Sequence, residues 1–411
     1  MKILYLAHRL PYPPNKGDKI RSFHQLEYLS RCHSLWCACF VDDPDDFQHV
    51  DRLRGYCEDL AAFPLDRTVA TARALGSLAR GRTLTEAYFH TRRMSATVRN
   101  WSETVGFDAV LAFSSSVAPY ALACNAPRRV IDFCDWDSAK WLAYAHRSSG
   151  IRARLFDIEA RRLARREAEW IQAFDASVII TDAEAAEVHD PSLRSRITVV
   201  GNGVDLRPCV PPPAEPRVGF VGAMDYPPNV DAVCWFVDEV WPVVRQRVPE
   251  ATFRIVGRRP TAKVKDLADR PGIEVTGEVP NAGTCIDQFA AAVAPLRIAR
   301  GIQNKVLEAM AAARPVVLTS LAAEGIDACD GRDYVIADGP RATASAVASL
   351  LRVPRGAAAI GRSARAFVEE HFNWDREGAK LDALLTTPRP LRTPPATPTV
   401  PRPPQPTPVP V

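Results

Sequence analysis

Short apolar runs alternate with longer amphipathic stretches along the chain, and this alternation constrains its fold more than any other feature. The runs predicted as buried strands are residues 3–7, 35–41, 109–113, 130–133, 178–181 and 197–200 in the first half, and 218–221, 253–256, 273–276, 291–295, 316–319 and 334–337 in the second. Parallel strands need crossovers of a dozen or more residues, usually helices that cover both faces of the sheet. The sequence therefore predicts an α/β protein with two doubly wound, Rossmann-like domains facing each other across a cleft.

Turn-forming residues separate the two halves. Residues 201–205 (Gly-Asn-Gly-Val-Asp) are followed by prolines at 208, 211, 212, 213 and 216, which cannot continue a helix or a central strand. We therefore predict an N-terminal domain over residues 1–205 and a C-terminal domain over 206–371. Residues 372–386 are predicted to form a C-terminal helix that can cross back to the N-terminal domain, and the proline-rich residues 387–411 a disordered tail.

Composition excludes several classes of protein. Of the 411 residues, 47% are hydrophobic and 24% charged, which is the balance of a globular protein with sizeable cores. A net charge of +4 is too small to indicate nucleic acid as a partner. The ten cysteines include no Cys-x-x-Cys pair and are predicted to be free thiols. Because the sequence shows no signal-peptide pattern and no long apolar run, we expect a cytoplasmic protein, with peripheral contact at the inner face of the membrane left open.

The segment from Ala294 to Val317 carries the most specific signal in the chain. A strand predicted to end at Pro295 is followed by a loop that contains Arg297, Arg300 and Gly301, and a helix is predicted to begin near Gln303 or Asn304. The free amide groups and the positive dipole end of such a helix form an anion site. The residues predicted to bind the anion there are Gly301, Ile302, Gln303 and Asn304.

Lys305 and Glu308 are three positions apart and so share one face of this helix. From that face Lys305 can neutralise a phosphate while Glu308 accepts hydrogen bonds from ribose hydroxyls. Arg297 and Arg300 would reinforce a diphosphate at the same place. The alternative is a surface Lys–Glu pair beside a solvated arginine loop.

Three aspartates follow a predicted strand in the first half. Asp132 lies within that strand, and Asp135 and Asp137 follow at its carboxyl end. There Asp135 or Asp137 can orient or deprotonate an acceptor hydroxyl. Alternatively, Asp137 and Ser138 cap the following helix, or the Asp-x-Asp spacing holds a divalent ion. Further on, six arginines between 152 and 166 are interleaved with Glu159, Glu167 and Glu169, which predicts a solvated helix face, with a membrane-surface helix as the alternative.

Residues 306–317 resemble the signature of the family 4 retaining glycosyltransferases, which have the two-domain GT-B fold. That signature is Glu-x7-Glu running into Leu-Glu-Ala-Met-Ala-x-Gly-x-Pro-Val. Glu308 matches its second Glu, whereas Arg300 stands at the first and Arg314 precedes the proline. Residues 197–205 are similar to the linker motif of the same family, and residues 220–232 to its first C-terminal strand and loop.

The resemblance implies roles for further residues. Gly222 lies in the loop that holds phosphate in this family, but Ala223 replaces the usual arginine, so phosphate neutralisation would fall to Arg258, Arg297, Arg300 or Lys305. Gly17 resembles the glycine loop that faces the donor phosphates, with Lys16, Lys19 and Arg21 nearby. The segment around Gly17 is not Gly-x-Gly-x-x-Gly, the fingerprint of dinucleotide binding, so the best support for a hydride-transferring enzyme is missing.

Residues 132–141, 222–232 and 294–305 together resemble one subgroup, the sugar transferases associated with exosortase/PEP-CTERM exopolysaccharide systems. The resemblance implies transfer of a sugar, with retention of configuration, from a nucleotide-diphosphate donor bound by the C-terminal domain. The acceptor would be a glycan or a lipid-linked glycan on the N-terminal domain. No obligatory metal or other cofactor is expected. A nucleotide-sugar epimerase and a catalytically silent nucleotide-binding or scaffold protein are the alternatives, the latter because Arg300 replaces a glutamate.

Overall fold

The computed structural model describes residues 1–78, 81–299 and 301–387. The chain forms two parallel sheets, each covered by helices, so the predicted α/β architecture of two Rossmann-like units is confirmed. Arg300 and nearly all of the proline-rich segment predicted to be a disordered tail lie outside the described residues.

The first sheet has seven strands in the order β3-β2-β1-β4-β5-β6-β7, and every pair is parallel. The strands are β1 (Lys2–Ala7), β2 (Ser34–Val41), β3 (Asp59–Pro64), β4 (Ala109–Phe113), β5 (Arg128–Asp132), β6 (Ala176–Ile179) and β7 (Ile197–Val199). Both faces are buried, since Leu4 and Leu6 of β1 join one apolar cluster while Ile3 and Tyr5 join another. This explains why the central strands are continuous apolar runs.

The helices that cover this sheet are α1 (Gly17–Cys32), α2 (Val50–Arg54), α3 (Arg67–Ser77), α4 (Leu84–Tyr88), α5 (Arg92–Thr104), α6 (Ala118–Ala123), α7 (Asp137–His146), α8 (Gly150–Ala173), α9 (Asp182–Ala186) and α10 (Pro191–Arg194). Short 3-10 turns precede α2 and α6, at Pro44–His49 and Ser115–Val117.

The second sheet has six parallel strands in the order β10-β9-β8-β11-β12-β13. They are β8 (Arg217–Val221), β9 (Thr252–Val256), β10 (Ile273–Gly277), β11 (Ala291–Ala294), β12 (Val316–Leu318) and β13 (Val335–Ile336). The accompanying helices are α11 (Pro227–Trp235), α12 (Trp241–Arg247), α13 (Ala262–Lys265), α14 (Ala282–Ile286), α15 (Asn304–Ala311), α16 (Ser320–Ala323), α17 (Pro340–Arg352), α18 (Pro354–His371) and α19 (Trp374–Thr386).

The last helix, α19, packs against the first sheet although it follows the second one in the chain. Leu381 and Leu385 belong to the apolar cluster built around β1 and α1, and the carbonyl of Leu384 accepts a hydrogen bond from Arg128 Nε at 2.7 Å. At the start of the crossing, the Val204 amide bonds the Phe372 carbonyl at 3.1 Å. The chain therefore passes between the two sheets twice, close to the same point.

Arg21 of α1 binds the linker, where the chain first passes from one sheet to the other. Its guanidinium donates to Asp132 Oδ2 at 2.8 Å and to the carbonyls of Val200 and Gly201 at 2.8 and 2.7 Å. It also reaches Asn202 Oδ1 at 3.0 Å. The linker is thus held by a buried cation whose charge is balanced by a buried carboxylate.

Several expectations about the fold need correction. The strand β3 was not predicted, because its half-buried edge position and its terminal Pro64 weaken the apolar pattern. The helix predicted at 230–247 is interrupted by a π-helical turn at Phe236–Val240. The expectation of a solvated face on α8 is wrong for Glu159, which is buried and accepts the Leu84 and Thr85 amides at the start of α4. The ten cysteines are free, as predicted.

Candidate active site

Two helix N-termini, those of α1 and α15, meet between the sheets. A Cβ placed on Gly17, the first residue of α1, would lie 3.6 Å from Nδ2 of Asn304, the first residue of α15. Asn202 of the linker donates to Asn304 Oδ1 at 3.3 Å. The first-turn amides and the positive dipole ends of both helices therefore face one space, and this favours an anion there.

Lys305 lies in the first turn of α15 and is held in place from two sides. Its Nζ donates to Asn229 Oδ1 at 2.5 Å and lies 4.8 Å from the centre of the Phe220 ring. Gly222 permits this arrangement, because a Cβ there would lie 2.6 Å from Asn229 Nδ2. Burial lowers the pKa of Lys305 to about 8, and the nearby carboxyl of Glu308 opposes that shift. A bound phosphate would restore the ordinary charge of this lysine.

Glu308 follows one turn later on the same helix face. Burial raises its pKa to about 7, Lys305 opposes the shift, and Asp205 of the linker adds to it. Its side chain makes no hydrogen bond to another described residue that would hold it in a different role. A half-buried carboxyl of this kind can accept hydrogen bonds from the hydroxyls of a bound ligand.

Arg258, just after β9, is the clearest unsatisfied cation of this region. Its Nε and one terminal nitrogen are buried and have no partner among the described residues. The ammonium of Lys16 is close enough that Arg258, together with burial and Arg9, lowers the pKa of Lys16. Buried guanidinium nitrogens without a partner are costly, so a ligand that accepts from them is the expected remedy.

The guanidinium of Arg297 is paired with side chains of the second half of the chain. It forms a bidentate pair with Asp231, at 2.9 and 2.5 Å, and its guanidinium lies 5.8 Å from the centre of the Trp235 ring. Its charge is therefore compensated. Phosphate binding would therefore depend on Arg258 and Lys305 more than on Arg297.

An acidic group from the first sheet faces the loop that precedes α15. A Cβ on Gly301 would lie 3.4 Å from Asp135 Oδ1 and 3.6 Å from Glu184 Oε1. Lys140 Nζ lies 2.5 Å from Asp135 and 3.6 Å from Asp137. Burial and the charge of Asp135 raise the pKa of Glu184 to about 7. Asp135 is thus near the anion site, held by one cation and beside a carboxyl that accepts a proton readily.

The remaining predicted residues of the loop are placed as follows. Gln303 is the N-cap of α15 and bonds the Gly301 carbonyl at 2.9 Å. Ile302 packs near Gly325, since a Cβ placed on that glycine would lie 3.0 Å from the Ile302 side chain. Asp137 accepts a hydrogen bond from Ser115 and lies in the first turn of α7, for which no side-chain cap is found. Arg300 is outside the described residues.

Two cations expected near the donor phosphates are elsewhere. Lys19 is buried against Asp46 at 2.7 Å, and Arg21 is buried against Asp132. Both point from α1 into the first domain rather than into the space in front of Gly17. No local pattern on α1 indicated this, because each ion pair joins α1 to a residue distant in the chain.

Three contributors were not predicted from the sequence, namely Asn202, Asn229 and Glu184. Glu184 has a recognisable signal, because Thr181 and Glu184 form a capping box directly after β6. Asn202 and Asn229 act through contacts with residues 102 and 76 positions away, respectively, and these contacts have no local pattern.

Neither a membrane-crossing helix nor a metal-binding group is found within the described ranges. No helix there combines the length and the apolar character that a bilayer crossing needs. In the same ranges, no three His, Cys, Asp or Glu side chains come together as metal ligands.

Comparison with known structures identifies the fold. The chain resembles S. aureus TarM, with a TM-score of 0.66 and 12% identity over 94% of this chain and 99% of that one. It resembles sucrose-phosphate synthase from Thermosynechococcus elongatus, with a TM-score of 0.68 and 14% identity over 93% and 98%. HepE from Anabaena, in complex with UDP-glucose, gives a TM-score of 0.64 and 14% identity over 94% and 99%. The fold is therefore that of the GT-B glycosyltransferases.

One family model matches part of the second half of the chain. Residues 215–353 match the family model described as glycosyl transferases group 1. No curated protein matches the sequence. The fold and this domain together make the chain a glycosyltransferase.

Proposed function

We propose that this glycosyltransferase moves a sugar from a nucleotide-diphosphate donor to a hydroxyl acceptor with retention of configuration, as the family 4 resemblance implies. The observation that carries the proposal is the meeting of two helix N-termini at Gly17 and Asn304. Lys305 lies in the first turn of α15, and Arg258, with its unpartnered buried nitrogens, is close to Lys16 at the N-cap of α1. The HepE complexes with UDP and UDP-glucose support UDP as the first donor nucleotide to test.

In the proposed reaction each side of the cleft has its own role. As the bond between the sugar and the diphosphate breaks, negative charge develops on the leaving oxygen and is stabilised by the α15 amides, Lys305 and Arg258. Asp135 or Asp137, on the opposite side, orients the acceptor hydroxyl. Closure of the two lobes excludes water, which would otherwise compete as acceptor.

Glu308→Ala is the direct test of the donor site. We expect it to weaken UDP binding about tenfold or more, because a hydrogen bond from a hydroxyl to a carboxylate is lost in a partly buried site. Isothermal calorimetry with UDP measures this, and Glu250→Ala, which removes an exposed carboxylate of the same half of the chain, is the matched control. Unchanged UDP affinity in the Glu308 variant would contradict the assignment.

Product analysis separates the proposed reaction from its alternatives. Incubation with a panel of UDP-sugars and glycan acceptors is expected to yield a glycosylated product, and slow hydrolysis of the donor without acceptor. A donor whose sugar is converted to its epimer in the absence of acceptor would instead identify an epimerase. Absence of hydrolysis and transfer, with UDP still bound, would identify a silent binding protein.

Donor binding should depend on pH with a maximum between about 7 and 8. Glu308 accepts hydrogen bonds most strongly when ionised, and its pKa of about 7 makes affinity fall below that pH. Lys305 must be protonated to bind phosphate, and its pKa of about 8 makes affinity fall above that pH. Calorimetric titration with UDP across pH 5.5–9.5 measures both limbs. Glu308→Gln should flatten the acid limb and Lys305→Met the alkaline limb, and a profile that neither variant alters would refute this explanation.

We also propose that the acceptor is a lipid-linked glycan of exopolysaccharide synthesis and that the α7–α8 hairpin contacts the membrane surface. The hairpin tip exposes Ile151, at 88%, together with Leu142 and Tyr144. Arg147 and Arg152 flank them and are exposed. Apolar side chains next to cations are the composition that binds anionic lipid surfaces.

Ile151→Asp with Tyr144→Ser is expected to lower retention on vesicles containing anionic phospholipid several-fold, because apolar contact area is lost. Co-sedimentation with such vesicles, and with neutral ones, measures it. Val353→Asp, an exposed apolar residue in the other half of the chain, is the control. Equal retention of all three proteins would contradict the proposed membrane contact.

A further inference from the structure

A second pocket lies in the first domain, away from α15. It has a volume of about 710 Å³ and is enclosed by the end of β3, helix α3, and the segment that joins α4 to α5. The apolar part of its wall is formed by Phe63, Pro64, Leu65 and Val69. The charged part is formed by Arg73, Arg82, Arg92, Arg93 and His90.

The positive charge of this pocket is not balanced by acids. No described carboxylate pairs with the side chains of Arg82, Arg92 or Arg93. Asp66 is the one acid among the lining residues, and its carboxylate accepts the Thr68 and Val69 amides at the start of α3, so four arginines stand against a single negative charge.

Arg73 adds a further uncompensated cation. Its guanidinium donates only to the backbone carbonyls of Ala87 and Tyr88, both at 2.6 Å, so it is fixed in position while its full charge remains. His90 responds to this environment, because burial and the charges of Arg73, Arg82 and Arg92 all lower its pKa. Every titratable group that shifts His90 therefore acts as a like charge, and an anion in the pocket would relieve all of them.

The pocket is connected to the cleft through a series of ring contacts. Phe89, the neighbour of His90, packs edge-on against His8 at the end of β1, with ring centres 5.8 Å apart. His8 also stacks on Phe113 at 5.8 Å. His8 Nε2 lies 3.3 Å from Asp18, which follows Gly17 at the start of α1. A ligand held in the pocket is therefore in the first domain, on the proposed acceptor side, and is linked through Phe89 and His8 to the helix start that faces the donor site.

We propose that this pocket binds an anionic group of the acceptor, a phosphate or a carboxylate. The inference rests on the proposed function and names its acceptor class, an acidic or phosphorylated glycan. Guanidinium groups match both oxyanions through paired hydrogen bonds. The apolar wall beside them suits the carbon skeleton next to the anion, and the donor diphosphate has its own site at α15.

The test uses charge reversal at the pocket mouth in the full-length protein. Arg92→Glu with Arg93→Glu places two acids in the first turn of α5, where the helix dipole favours them, so folding should be preserved. Arg99→Glu makes the same kind of change on an exposed position of the same helix outside the pocket. Inorganic pyrophosphate and a glucuronate-containing trisaccharide are titrated separately into protein saturated with UDP.

Under these conditions we expect at least one probe to bind wild-type protein and the Arg99 variant equally, and the double variant about tenfold or more weakly. The probe that binds tells phosphate from carboxylate. UDP affinity should be the same in all three proteins. If the wild-type protein did not bind UDP, that result would contradict the proposed function and not the pocket. In transfer assays the double variant should raise KM for the acceptor and leave KM for the donor unchanged.

Two results would overturn the inference. The first is that neither probe binds the UDP-saturated protein, and in that case loss of retention of the double variant on anionic vesicles would identify the arginines as a lipid contact. The second is that the double variant and the Arg99 variant bind the probes alike.

Discussion

Replacing Lys305 by methionine is expected to slow sugar transfer by roughly 10²–10³-fold, the loss typical when a preorganised group that stabilises developing charge is removed. Its Nζ is held by Asn229 and lies over the Phe220 ring in the first turn of α15, where the proposed reaction makes the leaving diphosphate more negative. Methionine retains the apolar stem and removes only the charge. Steady-state kinetics with saturating donor and acceptor measure the effect as a fall in kcat.

The same variant should not be less stable, and this separates a functional role from a structural one. The folded pKa of Lys305, about 8, is below that of an unfolded lysine, so its charge disfavours folding below pH 8 and this cost disappears as the pH rises toward about 10.4. At pH 7, Lys305→Met should therefore unfold in urea at an equal or higher midpoint. Lys265→Met, at an exposed position, is the control for kcat. Loss of rate together with loss of stability would indicate that Lys305 only supports the fold.

Replacing Arg21 by methionine is expected to lower the free energy of unfolding by about 3–5 kcal/mol, the cost of leaving a buried charge without its partner. Arg21 is 2% exposed and Asp132 is fully buried. The guanidinium also holds the carbonyls of Val200 and Gly201, so the linker loses its anchor in the same variant. Equilibrium unfolding in urea, followed by tryptophan fluorescence and by circular dichroism, measures the change.

A second arginine of α1 provides the control. Arg31 pairs with Asp375, but the two side chains are 55% and 66% exposed. Because exposed ion pairs contribute about 0–1 kcal/mol, Arg31→Met should change stability little. If Arg21→Met were no more destabilising than Arg31→Met, the linker would not depend on this buried pair.

Periodicity and turn chemistry predict much of this fold, because they report on burial that recurs locally. The strand 109–113 and the start of α15 at Asn304 are found where the sequence predicts them. The edge strand β3 is missed, since one of its faces is only half-buried and its pattern is weak.

The partners of the charged residues were much harder to predict than the helices and strands. The sequence shows that Lys19, Arg21 and Arg297 are cations near a glycine loop or a helix start. It does not show that Asp46, Asp132 and Asp231 balance them. Each of those pairs joins residues distant in the chain, so it depends on the packed structure and has no local signature. The site residues themselves remain predictions until the variants are measured.

The double passage of the chain between its lobes restricts how they can separate. Val204 and Phe372 are hydrogen-bonded where the two segments run side by side, and Trp374 stacks on His24 at a ring distance of 4.4 Å. Two adjacent tethers permit bending about one axis and resist twisting or sliding. Displacement would then be least beside Asn202 and Asn304, close to these tethers. The ion pair of Arg259 with Asp43 also joins the two lobes and would part as they open, while the helix starts beside the tethers stay almost in register.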